Sequence, residues 1–366
     1  MRIIYGVSGE GSGHSSRAKE MVTHLLGAGH EVQIVSYNRG YETLHKLFPC
    51  HRIDGLRILS VDNKVTVPRT LAYNLRMLPA YRRSIHSLRK LFDEFQPDLV
   101  ITDFEPMCAR FANWRKLPLI SLDNQHRMRF MEYESPAHLH WDRVITETVI
   151  RMVVPKPDVV LATTFMQGPV SNDYTFLFPP ILRSEVASLE PRDGDYHLVY
   201  VTSAYDSLIY TLRQMSGERF IIYGYNKEEE SGNLRFREFS TLGFLRDVAG
   251  SRSVIATAGY TLMSEAMYLQ KPYLAFPMHG QFEQQLNAFC LDKLGYGMNA
   301  ADADIETLQV FFSHLPAYRE ALAHYADGYS NNPDAARNGQ ICAKLDELLA
   351  DNAALLRQYH GRATPR

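Results

Sequence analysis

The sequence predicts an α/β protein of two doubly wound parallel sheets in series. Three observations predict it. Apolar runs of four to six residues alternate with stretches of helical periodicity along most of the 366 residues. Glycine turns follow strands in both halves. A polar, proline-bearing break at 180–194 interrupts the alternation, which then restarts.

In the first half Arg2–Val7 and Glu31–Ser36 are Ile/Val-rich strands. Between them His14–Gly27 has helical spacing and stops at a glycine. Asp98–Thr102, Pro118–Leu122, Val159–Thr163 and Thr175–Phe178 are further strands, and one long helix is expected over 70–95. In the second half His197–Thr202, Phe220–Tyr223, Ser253–Thr257 and Pro272–Phe276 are strands. Ser207–Met215, Leu242–Val248, Thr261–Leu269 and Gln281–Leu294 are helices. The expected domains are 1–180 and 195–334. The Ala/Leu-rich end, 335–366, supplies a helix that is a candidate to pack back on the first domain. Sheets of this kind bind ligands beyond the carboxyl ends of their strands, so two of them facing each other would make a cleft there.

Composition narrows the function. Hydrophobic residues make up 45% and charged residues 22%, which excludes a disordered or collagen-like chain. A net charge of -2 gives no bulk attraction to nucleic acid. No apolar run reaches the ~18 residues of a membrane span. The opening MRIIYGVSGEGSGH reads as a first strand rather than a signal peptide. Cys50, Cys108, Cys290 and Cys342 are scattered and form no CxxC pair, which fits a reduced, cytoplasmic protein without structural zinc.

The residues that follow strands carry the chemistry. Ser8–His14 contains Gly9, Gly11 and Gly13 and opens a helix, an arrangement that lets a ligand approach backbone N–H groups. It matches the dinucleotide fingerprint imperfectly. Ser36-Tyr37-Asn38 stands where a ribose-binding acid would close the second strand, which disfavours a dehydrogenase. His14 lies at the helix start, where neutral imidazole is favoured and can take a proton from a hydroxyl; helix capping is its structural alternative. Asp103 and Glu105 end a strand and could orient a histidine or bind a sugar hydroxyl, while Asp103 could equally cap the next helix. Ser121–His126 is a polar cluster after another strand.

The second half holds the most specific segment. Ser253–Ala266 reads strand, glycine turn, helix. Gly259, Tyr260 and Thr261 can present backbone amides to a diphosphate. Glu265, one turn on, can accept bonds from vicinal ribose hydroxyls, and Glu283 and Gln284 at the next helix start suit a polyhydroxylated sugar. Each also has an ordinary structural use in a helix's first turn. Over 63–92 seven basic residues interleave with apolar ones, and no acid occurs from Asn63 to Phe92. A core-packed helix with a solvated basic face is the first reading. Peripheral contact with anionic lipid, or a seat for an anionic acceptor, is the second.

This pattern resembles the donor site of GT-B glycosyltransferases. It is similar to the lipid-linked N-acetylglucosaminyl transferase of peptidoglycan synthesis and to UDP-glycosyltransferases of small molecules. It is nearest to a little-characterised bacterial and archaeal group. Gly259 to Glu265 spans the six positions of that pattern; Pro272 and Pro277 bracket the next strand, and Glu283-Gln284 precede Asn287-Ala288 at the same offset. The resemblance implies two Rossmann-like domains and a nucleotide diphosphate sugar as donor, probed first as UDP-linked. It implies inverting transfer to a hydroxyl and no required metal or cofactor. Gly11, Gly13, Ser203, Phe244, Gly259, Tyr260, Thr261, Glu265, Glu283 and Gln284 would contact the donor, Phe244 lying in the loop that packs on the base. Gly13-His14 resembles the Gly-His whose histidine is the base. Thr257 replaces a histidine of that family, and Cys108 stands where its orienting aspartate falls, leaving Asp103 or Glu105 to supply the charge. The acceptor is open among a small molecule, a lipid-linked glycan and a polysaccharide precursor. Competing classes are a UDP-N-acetylglucosamine 2-epimerase and a degenerate protein that only binds a nucleotide or glycan.

Overall fold

The computed structural model describes residues 1–55, 60–61, 64–65, 67–201, 206–302, 304–330 and 338–359. The chain forms two compact units: Met1–Ile181 together with the chain from Asn338 on, and Leu182–Arg337.

The first unit contains β1 (Arg2–Val7), β2 (Glu31–Ser36), β3 (Cys50–Arg52), a small antiparallel pair β4 (Ser60–Val61) and β5 (Lys64–Val65), then β6 (Leu99–Asp103), β7 (Leu119–Asp123), β8 (Val159–Thr163) and β9 (Thr175–Phe178). Seven of them make a parallel sheet in the order β3-β2-β1-β6-β7-β8-β9. Strands β6, β7 and β8 are buried along their whole length, as helices on both faces require. The order reverses between β1 and β6, so the crevice beyond their carboxyl ends is where such a sheet holds ligands. The C-terminal helix Gly339–Tyr359 belongs to this unit. Ile341, Leu345, Leu348, Leu349 and Leu356 enter the core with Ile3, Tyr5 and Leu25, and His24 bonds Asp346 at 2.8 Å. The periodic apolar residues of this Ala/Leu-rich helix thus close one face of the first sheet.

The expected helix over 70–95 is two, Val67–Arg76 and Leu78–Phe95. Pro79 explains the break, because it has no N–H to donate to the carbonyl four residues back and sits naturally in a helix's first turn. The second helix buries Ala80, Tyr81, Ser84, Leu88 and Phe92 and leaves Leu78, Arg82, Arg83, Ile85 and Arg89 exposed. Parts of the basic 63–92 stretch, positions 63 and 66, lie outside the described residues.

The second unit contains β10 (His197–Tyr200), β11 (Phe220–Tyr223), β12 (Glu229–Ser231), β13 (Leu234–Arg237), β14 (Val254–Ala256), β15 (Tyr273–Ala275) and β16 (Gly297–Asn299). Their order is β12-β13-β11-β10-β14-β15-β16, parallel except for the β12–β13 hairpin. Its reversal lies between β10 and β14. Sequence periodicity does not find β12, β13 and β16: they are three or four residues long, too short to show a period of two.

Candidate active site

At the β1/β6 reversal four side chains form one hydrogen-bonded net. Asp103, the last residue of β6, is fully buried. Its Oδ1 accepts from His14 Nδ1 at 2.7 Å and from Arg17 Nη2 at 2.7 Å, and its Oδ2 accepts from Arg17 Nε at 2.8 Å. Arg17 Nη1 donates to Asn124 Oδ1 at 3.0 Å. Local structure explains the meeting. His14 and Arg17 are three apart on the Gly13–Gly27 helix and therefore share a face. Asp103 ends β6 and Asn124 directly follows the adjacent β7. With Asp103 accepting, Nδ1 of His14 carries the proton and Nε2 keeps its lone pair. His14 retains 12% side-chain exposure, so a small reactant can reach it. Burial opposes the Arg17 charge, but the Asp103 carboxylate outweighs it and holds the guanidinium above its ordinary value.

The turn after Asp103 is strained. Phe104 takes φ +56, which a bulky side chain adopts at a cost of about 1–3 kcal/mol, and its ring lies parallel to that of His14 with centroids 6.4 Å apart.

Glu105, the other expected catalytic carboxylate, is engaged as a helix cap. It is the N-cap of the Pro106–Arg115 helix, and its two oxygens accept from the N–H groups of Met107 and Cys108 at 2.9 and 2.7 Å. Burial pushes its carboxyl up, and those two amides pull against the rise. Asp103, the alternative cap, instead orients the histidine. Cys108 is buried against Gly6, where an added Cβ would lie 2.8 Å from the Cys108 Cβ; a carboxylate there would have no room. The glycine loop divides by role. Gly11 takes φ +76 and Gly13 opens the helix, whereas a Cβ on Gly9 would stand 2.1 Å from the Tyr37 carbonyl oxygen.

Beside this net Asp123 and His126 form a second buried pair, Nδ1 to Oδ2 at 2.8 Å, with the Ser121 hydroxyl donating to the same carboxylate at 2.7 Å. Burial would raise the Asp123 carboxyl, but His126 and the neighbouring donors hold it down at about 2. The pair locks the loop that presents Asn124.

In the second unit Gly259 caps the helix Tyr260–Tyr268. A Cβ added to Gly259 would meet nothing within 4 Å. The turn before it is fixed through its carbonyls: Tyr273 Oη donates to Thr257 O at 2.6 Å, Asn287 Nδ2 to Ala258 O at 2.9 Å, and Ser264 Oγ to Tyr260 O at 2.8 Å. The Gly259 N–H is already used, donating to Thr257 O at 2.8 Å. The amides of Tyr260, Thr261 and the next residue open the helix and point past its N-terminus. Asn287 was visible only as part of the spacing pattern. Its function as an anchor of this turn, and that of Tyr273, depend on contacts 16 to 29 residues apart that periodicity does not report.

Glu265 is 1% exposed and is gripped by Arg183, whose Nε and Nη2 donate to its two oxygens at 2.6 and 2.5 Å. Gln284 braces its own loop, accepting from Met278 N at 3.1 Å and donating to Gln281 Oε1 at 2.8 Å; Glu283 is half-buried in the first turn of the same helix, Phe282–Lys293. Phe244, expected in the loop that packs on the base, lies inside the second unit. It is 3% exposed and packs among Tyr200, Tyr223 and Phe239, because it lies on the apolar face of the Thr241–Gly250 helix. The exposed apolar residues there are Phe239 and Leu242. Ser203 lies outside the described residues. Among the described residues no group of three His, Cys, Asp or Glu side chains could hold a metal ion, and no helix is long and apolar enough to cross a membrane.

Two Rossmann-like sheets, one with a histidine–aspartate pair at its reversal and the other with an open helix-capping turn beside its own, define a GT-B glycosyltransferase. The chain belongs to glycosyl transferase family 1, whose model matches residues 1–316. Uncharacterised glycosyltransferases of Methanosarcina mazei and Methanosarcina acetivorans are 26% and 24% identical to it over 334 and 327 residues, covering 81% of this chain and 85% of each relative. The glycosyltransferase SnogD from Streptomyces nogalater shares the fold with a TM-score of 0.62 at 16% identity, over 95% of this chain and 99% of its own. So does the spinosyn rhamnosyltransferase SpnG complexed with thymidine diphosphate, with a TM-score of 0.62 at 15% identity, over 94% and 100%. The protein is a glycosyltransferase.

Proposed function

We propose that the protein moves a sugar, with inversion and without a metal, from a nucleotide diphosphate sugar to an acceptor hydroxyl. The His14–Asp103 bond carries this reading. Asp103 fixes the proton on Nδ1, and His14 Nε2 takes the acceptor's hydroxyl proton as that oxygen attacks the anomeric carbon. The bond from that carbon to the diphosphate breaks, and the nucleoside diphosphate leaves. The amides opening the Tyr260–Tyr268 helix stabilise the charge it gains, a role a cation would otherwise fill. Glu265 holds the ribose, and Glu283 and Gln284 hold the sugar. Uridine is the first base to test and thymidine, the base of the diphosphate bound by SpnG, the second. The exposed Leu78 and Ile85 among Arg82, Arg83 and Arg89 support peripheral contact with anionic lipid through 63–92.

The test is His14→Ala, assayed as nucleoside diphosphate release from UDP- and dTDP-sugars with a library of hydroxylated acceptors. Transfer is expected to fall about 10²–10⁴-fold, with calorimetric affinity for the free diphosphate unchanged. Near-normal turnover would remove His14 as the base.

A further inference from the structure

Arg17 is 5% exposed and held at all three guanidinium nitrogens, Nε and Nη2 by Asp103 and Nη1 by Asn124. The same Nη2 stands 3.2 Å from His14 Nδ1. Nδ1 carries the proton that Asp103 accepts, so this approach is not a hydrogen bond. It is a fixed positive charge against the edge of the imidazole.

Without that charge the pair would behave differently. Asp103 is fully buried, and a buried carboxylate facing only an imidazole draws one further proton into the pair. That proton has two places to rest. On His14 it makes an imidazolium. On Asp103 it makes a carboxylic acid that donates to Nδ1, and the imidazole's own proton then sits on Nε2. In either form Nε2 has lost its lone pair, and the two groups titrate as one unit. Arg17 compensates the carboxylate in place of that proton and opposes an imidazolium at short range. The neighbouring groups are engaged elsewhere. Tyr5 on β1 has its phenol pushed up by burial and then by Asp103. Asp123 is paired with His126, and Arg127 directs Nε to the Asn124 carbonyl. Glu105 caps its helix, and Glu10 in the glycine loop accepts from Asn38. We infer that Arg17 is a positioning residue for the transfer: its charge keeps the His14–Asp103 pair one proton short, so that Nε2 is a base at neutral pH. This rests on the reading of His14 as the base.

The experiment is ring-15N NMR of the histidine-labelled full chain, titrated with pH, for wild type, Arg17→Met, Arg17→Gln and Arg17→Lys, with His14→Ala identifying the His14 signals. Beside it run pH profiles of nucleoside diphosphate release from UDP- and dTDP-sugars. Wild type is expected to show a neutral imidazole protonated on Nδ1 at pH 7.5; imidazolium or an Nε2–H form there overturns the inference, and this measurement needs no variant. In Arg17→Met and Arg17→Gln the pH at which the pair takes up its extra proton should rise by about one unit or more, the size of effect a charge within ~4–6 Å exerts. The acid limb of the release rate should move with it, so that activity lost at neutral pH returns as the pH is raised. Arg17→Lys, which keeps the charge, should move both less than Arg17→Gln, which keeps polar hydrogen-bonding atoms and drops the charge. A role in packing or hydrogen bonding alone would lower the rate by one factor at every pH and leave the titration in place, which overturns the inference. Should Arg17→Met not fold, equal titrations in the Gln and Lys variants overturn it. Failure of the base reading looks different. If the titration moves as expected but His14→Ala releases nucleotide at the wild-type rate, the base assignment fails and takes this role with it. If His14→Ala loses the rate while the titration stays put in Arg17→Gln, this inference alone falls.

Discussion

At the β1/β6 reversal the polar groups are side chains, and two of them, His14 and Arg17, converge through three hydrogen bonds on one buried carboxylate. At the β14 turn they are main-chain groups, and side chains act behind them as anchors. The same sheet architecture has been fitted out in two ways. Moving a proton needs a group that can gain and lose one, and only a side chain offers that. In the proposed reaction, holding a diphosphate would need several fixed donors at close range, which helix-opening amides can offer without a Cβ in the way. The comparison implies that the first site is sensitive to charge and the second to shape.

The largest effect should come from Asp103→Asn. The substitution keeps the volume but leaves Arg17 buried beside a neutral amide and removes what fixes the His14 tautomer. A neutralised orienting aspartate costs about 10⁴-fold in rate in the serine-protease case, so transfer should fall about 10³-fold or more. Breaking a buried ion pair destabilises by about 3–5 kcal/mol, and a denaturant midpoint should report it. Free diphosphate affinity, measured where the variant is still folded, should not change. A variant that loses nucleotide affinity and keeps its rate would invert the comparison.

The second effect concerns the other end of the second sheet. His197, at the amino end of β10, is fully buried between the Ser253 hydroxyl and Glu218 and stacks on Phe312. Burial lowers its pKa to about 4, against the pull of Glu218. The unfolded histidine takes its proton near 6.5. Between these values the unfolded state binds more protons, so stability rises with pH and is lost as pH falls from 6.5 to about 4. That shift is worth roughly 3 kcal/mol. Urea unfolding of wild type at pH 4.5 and 7 should show most of it, and His197→Gln should remove most of the slope. A slope untouched by the substitution would mean that other groups carry the acid sensitivity of this unit.

How far these differences can be read from the chain depends on their range. The strands β1, β6, β7 and β8 announce themselves as apolar runs because helices cover both of their faces. Asp103 ends a strand, and His14 and Gly259 lie where the turn after a strand opens a helix, so position marks all three. Arg17 could have been found, since it follows His14 by three on a helix whose other buried residues are mostly apolar. The capping by Glu105 could also have been anticipated: an acid before a proline at a helix start is a capping arrangement. Arg183 and Tyr273 could not. Their partners lie 82 and 16 residues away, and nothing local distinguishes them from ordinary polar and core residues. The burial of Phe244 was not legible either, because a loop resemblance does not say which face of the following helix turns inward.

The smallest effect separates two glycines that look alike in the sequence. Gly9 and Gly259 each follow the first turn after a strand. A Cβ on Gly9 would lie 2.1 Å from the Tyr37 carbonyl oxygen, whereas one on Gly259 would meet nothing within 4 Å. Gly259 has φ -69 and ψ 125, which alanine adopts without strain. Gly9→Ala should therefore destabilise by about 1–3 kcal/mol through overpacking, with nucleoside diphosphate affinity preserved in the folded fraction. Gly259→Ala should leave the unfolding midpoint within about 0.5 kcal/mol of wild type. Its methyl group would occupy the open space before the Tyr260 and Thr261 amides, and the affinity should drop about tenfold, the equivalent of 1.4 kcal/mol. Unchanged affinity in Gly259→Ala would mean that the diphosphate does not approach this turn, and the division between a charge-built and a shape-built site would lose its second half.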